Sequence, residues 1–90
     1  VKMVDEDAIL RFAQLNAEAI AMNDAALADD LDEARFRAHL IRTAAEEMGL
    51  SEVVEAAQDV VVLLRAPGTV PLPDYGHAML RLARILTPRD

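Results

Sequence analysis

Apolar residues recur along the chain at alternating three- and four-residue steps, in four stretches separated by residues that stop or start helices. From Asp5 to about Ala28 there is neither glycine nor proline, and the stretch opens on Asp5, Glu6 and Asp7, which favour the positive end of a helix dipole. Ile9, Phe12, Ala13, Ala17 and Ile20 share one side of that segment and predict its buried face. Near Asp29 the pattern breaks. Asp30, followed three residues later by Glu33, has the form of a capping box, so a second helix is expected to start at Leu31. Leu31, Ala34, Ala38, Ile41, Ala45 and Met48 form its seam, and Gly49 supplies a left-handed stop.

Ser51 is placed to cap a third helix over about Glu52 to Arg65, with Val53, Ala57, Val60 and Leu64 on one stripe. Its β-branched end, Val60 to Leu64, is compatible with a strand, but a lone strand would have no pairing partner. Pro67, Gly68, Pro71 and Pro73 mark a connecting loop. Asp74 then opens a fourth helix to about Leu86, with Met79, Leu82, Ala83 and Leu86 inward. Four helices joined by short links predict an all-α, antiparallel up-down four-helix bundle, with residues 1–90 forming one domain.

Composition agrees with this reading. The chain is 53% hydrophobic and 3% aromatic, so aliphatic side chains must build the core. The absence of cysteine excludes thiol catalysis, cysteine-based metal sites and disulfide staples. The net charge of −7 comes from residues 1–33, which hold nine acids against two bases. Such a chain repels nucleic acid and anionic membranes, so a nucleic-acid reader built on Arg35, Arg37 and Arg42 is disfavoured. The longest apolar run cannot span a bilayer, and no basic-then-apolar leader is evident, so a monomeric cytoplasmic protein is expected.

No nucleotide-binding loop, zinc-protease motif, calcium loop or nucleophile elbow is present, and neither a metal nor a cofactor is expected. Asp29/Asp30 and Glu46/Glu47 are adjacent acids about 100° apart on a helix, hence solvated surface and not facing catalytic pairs. The candidate nucleophiles are two histidines. Arg35, His39, Arg42 and Glu46 fall on one stripe of the second helix, outside its apolar seam. This predicts an exposed His39 whose imidazole can act as a nucleophile, with Arg42 and Arg35 available to offset phosphoryl charge. Phe36 and Leu40 also point away from the seam, as a docking patch or as residues covered by a neighbouring helix. His77, with Arg81 four residues on, has no such apolar surroundings.

The span Asp30 to Leu50 resembles the centre of a histidine-containing phosphotransfer (HPt) domain. Asp30, Ala38, His39, Ile41, Ala44, Ala45, Gly49 and Leu50 fit the family's spacing, while Arg42 and Thr43 stand where it has Lys-Gly. The resemblance implies a four-helix phosphocarrier of a two-component phosphorelay, and not an autonomous kinase. In it His39 exchanges a phosphoryl group with a response-regulator receiver domain, free-standing or within a hybrid sensor kinase. Arg42, supported by Arg35, would stabilise the phosphate, and Phe36, Leu40 and Thr43 would form the docking surface. The family binds no ATP, and the magnesium used in transfer belongs to the receiver. The alternative is a helical-bundle interaction module without phosphotransfer, in which Arg42 and Thr43 mark lost chemistry.

Overall fold

The computed structural model describes residues 6–87, and among them the architecture is an all-α four-helix bundle. Helix α1 runs Glu6–Leu27, α2 Leu31–Met48, α3 Ser51–Leu64 and α4 Tyr75–Leu86. Each helix packs against the one before it, and α4 closes the ring against α1. The core is aliphatic and rich in alanine. Ala34, Ala38, Ile41 and Ala45 from α2 meet Ala56, Ala57, Val60 and Leu64 from α3 with essentially no solvent exposure. Alanine at these positions lets the helix axes approach closely, while Met22, Ile41, Leu64, Leu82 and Leu86 fill the remaining volume.

The helix ends follow from named residues. Helix α1 closes with Asp30 N–H donating to the Ala25 carbonyl at 2.8 Å and Asp29 N–H to Ala26 at 3.0 Å, with Asp29 at φ 64°. The end of α2 repeats this pattern at Gly49, φ 72°, where no Cβ resists the left-handed turn. Asp30 caps α2 as the spacing predicts, its carboxylate accepting from Glu33 N–H at 3.2 Å. The box is one-sided, because Glu33 instead accepts a hydrogen bond from Arg37 at 2.7 Å.

Three local expectations are corrected. Ser51 is the first residue of α3, and the N-cap is Leu50, which has no side-chain cap bond. Asp74 does occupy the N-cap of α4, yet its carboxylate makes no capping bond. The largest correction concerns α1. Its buried residues are Leu15, Ala19 and Met22, with Phe12 partly covered, whereas Ile9, Ala13, Ala17 and Ile20 are exposed. Two apolar stripes overlap on this alanine-rich helix, and periodicity alone does not choose between them. Glu18 helps decide the rotation, since it pairs with Arg37 of α2 at 2.7 Å and turns the Leu15 side inward. The carboxylates of Glu18 and then Glu33, by accepting its hydrogen bonds, raise the Arg37 pKa. No helix among the described residues is long and apolar enough to cross a membrane.

Candidate functional site

The seam Ala34, Ala38, Ile41, Ala45 fixes the rotation of α2, and its opposite surface is therefore turned to solvent. That outer surface carries Phe36, His39, Leu40 and Thr43, all exposed. Phe36 is 54% and Leu40 38% exposed, so no neighbouring helix covers them. Large apolar side chains left in water beside an exposed imidazole are the kind of surface that partner proteins cover. Beyond Leu40 the patch runs into a groove between α1 and α2, lined by Leu15, Ala44 and Met48 with Arg11 and Glu47 at its sides.

His39 makes no hydrogen bond or ion pair with any described residue, so its imidazole is open to reagents. Arg42 lies one turn further on. One end of its guanidinium donates to Glu46 at 3.2 Å, a long contact at the surface. Its Nε–H is buried and has no acceptor. A buried donor without a partner costs about 1–3 kcal/mol. Glu46, which the helical spacing had already put on this stripe, thus competes for the same cation. Among the described residues no group of three histidine, aspartate or glutamate side chains could hold a metal ion.

Arg35 does not belong to this surface. The sequence placed it on the exposed stripe as a second phosphate-stabilising cation; it is 5% exposed and fully engaged. Nε and Nη2 donate to the Leu64 carbonyl at 3.1 and 2.9 Å, Nη2 also to the Thr69 carbonyl at 2.7 Å, and Nη1 to Asp32 at 2.7 Å. The physical reason lies in α3, whose last carbonyls have no partner within their own helix. Leu72 N–H satisfies Leu63 at 2.8 Å, and Arg35 satisfies Leu64. This function was invisible to spacing, because the acceptors are backbone atoms about thirty residues away in sequence.

His77 is exposed in a shallow groove between α3 and α4, beside Asp74 and Asp59. Its one neighbouring cation, Arg81, is engaged with Asp59 at 2.9 Å. Two acids and an engaged arginine disfavour an incoming phosphoryl group, so geometry separates the two histidines. No protein-family model, curated protein or solved structure matches the chain.

Proposed function

We propose that the protein is a histidine phosphocarrier of the HPt type, working in the cytoplasm between receiver domains of a two-component phosphorelay. The observation that carries this reading is an exposed, unpartnered His39 one turn before Arg42, a cation held only by a long surface contact to Glu46. A neutral imidazole nitrogen attacks the phosphorus of a receiver's aspartyl phosphate. The new N–P bond forms as the P–O bond to the carboxylate breaks, and the free aspartate leaves with its electron pair. Arg42 takes up charge on the phosphoryl oxygens, and Phe36 and Leu40 seat the receiver. The return step reverses these events on a second receiver.

The second reading, an interaction module without phosphotransfer, draws on Thr43. It is exposed four residues after His39 and puts a β-branched side chain where the receiver's backbone would approach. Incubation with a panel of phosphorylated receiver domains, read by intact-protein mass, separates the two. An acid-labile phosphoryl adduct that disappears in His39→Gln and persists in His77→Gln is the expected result. Absence of any adduct in a folded protein would transfer the case to the interaction module, and Thr43→Gly would then show whether bulk alone blocks the chemistry.

A further inference from the structure

His39, Arg42 and Glu46 follow one another along α2 at steps of three and four. At about 100° per residue Glu46 returns to within about 20° of His39, with Arg42 between them about 40–60° to one side. Cα–Cβ bonds on a helix tilt toward its N-terminus, so that of Glu46 tilts toward Arg42 and that of Arg42 toward the turn of His39. One cation therefore stands between an imidazole and a carboxylate. Among the described residues Glu46 accepts a hydrogen bond from Arg42 alone, and Arg42 donates to Glu46 alone.

A second ion pair of the same spacing on α2 shows how lightly Arg42 is held. Glu33 and Arg37 are also four residues apart, with the acid N-terminal, the stronger order on a helix, and they meet at 2.7 Å. In the Arg42–Glu46 pair the order is reversed and the contact is 3.2 Å. Arg37 has a further acid, Glu18 of α1, at 2.7 Å, and Arg42 has none.

We propose that Glu46 sets how long His39 keeps a phosphoryl group, by holding Arg42 in the resting protein and drawing on its charge once the group is in place. The inference rests on the phosphocarrier reading and adds to it the residue that regulates the adduct. A phosphoryl group carries a charge of about −1.5 to −2 at neutral pH, and on His39 it would lie one turn from Arg42. It therefore outcompetes a single carboxylate held in the weaker helical order. Glu46 must nonetheless be displaced or must share the cation, and this cost falls on the phosphorylated state alone. Glu46 is a positioning residue, acting through Arg42. Its direct repulsion of the phosphoryl group is the smaller effect, because seven residues of helix separate the two by about 10.5 Å, more than the Debye length of about 8 Å at physiological salt. The outcome is a carrier suited to passing the group on and not to storing it.

Loss to water reads this coupling directly. Water adds to phosphorus as the P–N bond breaks, the imidazole leaves with the electron pair and takes a proton from the water, and inorganic phosphate departs. The phosphoryl oxygens hold more negative charge in the adduct than in a loose, metaphosphate-like transition state, so a cation beside them slows the step. By drawing on that cation, Glu46 speeds it.

Phosphorylation with phosphoramidate requires no receiver, and in the His77→Gln background intact-protein mass follows the His39 adduct alone. Glu46→Gln should lengthen its life about threefold, the worth of one exposed ion pair, with unchanged circular dichroism since Glu46 is at the surface. In an Arg42→Ala background Glu46→Gln should change nothing, and in a His39→Gln background the His77 adduct should decay alike with either residue at position 46. Equal decay in Glu46→Gln and its parent would overturn the proposal. The same lengthening in the Arg42→Ala background would overturn it too, since Glu46 would then act through space and not through Arg42. Unchanged decay together with an adduct from a receiver removes this role and leaves the phosphocarrier standing. Lengthened decay with no adduct from any receiver supports the coupling of Glu46 to His39 and removes the phosphocarrier.

Discussion

Arg35 and Arg42 stand seven residues apart on the same side of α2, and the fold treats them in opposite ways. Arg35 lies level with the end of α3, where the chain turns away and leaves its last carbonyls in need of donors. Its planar fork satisfies the Leu64 and Thr69 carbonyls together and ties the 65–74 connection to α2. Arg42, two turns further along α2, donates to no backbone carbonyl among the described residues. No backbone acceptor is on offer there, so the side chain is left with Glu46 at the surface and a buried Nε–H that nothing accepts. The same residue type is an anchor where backbone acceptors are in surplus and is left to a surface carboxylate where they are absent.

The sharpest way to break this comparison is Arg35→Ala. Truncation exposes no useful surface and strands buried carbonyls, so stability should fall by about 3 kcal/mol, measured by urea unfolding at neutral pH. Arg35→Lys should recover only part of this loss, since an ammonium cannot serve both carbonyls in the fork geometry. Wild-type stability in both variants would mean that Arg35 does not anchor the loop.

Arg42→Ala comes next. It should change stability by less than about 1 kcal/mol, because its ion pair is exposed and its Nε–H is unsatisfied to begin with. It should instead shorten the life of phosphohistidine on His39 about tenfold, with the His77 adduct unaffected. Phosphorylation by phosphoramidate followed by intact-mass decay measures both histidines in one sample. Equal decay of the His39 adduct in the variant and the parent would deny Arg42 its role.

The smallest effect concerns the segment that Arg35 holds. Arg65 adopts φ 66° and ψ −167°, a region open in practice to glycine alone. Arg65→Gly should therefore raise the melting temperature, by relief worth about 1 kcal/mol. A lower melting temperature would show that the contact from Arg65 to the Val70 carbonyl, 3.3 Å long, outweighs the strain.

Much of the fold was legible from the sequence. The four helices, the cap at Asp30, the left-handed stop at Gly49 and the seams of α2 and α3 follow from local rules, and they are seen where those rules put them. The exposure of His39 was legible for the same reason: once the seam of α2 is known, helical geometry dictates the opposite face, whereas the choice between a bare patch and a covered one at Phe36 and Leu40 fell to the tertiary structure, which leaves them exposed. The fate of Arg35 was not legible, because its acceptors are carbonyls brought near by the crossing of a distant loop.

The rotation of α1 draws the same boundary. Sequence alone determined a helix from Asp5 to about Ala28, seen as Glu6–Leu27, and set Ile9, Phe12, Ala13, Ala17 and Ile20 on one side of it. Which stripe would be buried depended on the ion pair between Glu18 and Arg37 and on the fit of Leu15, Ala19 and Met22 against the other helices. Local periodicity sets which residues share a face, and only the packing of all four helices decides which face the core receives.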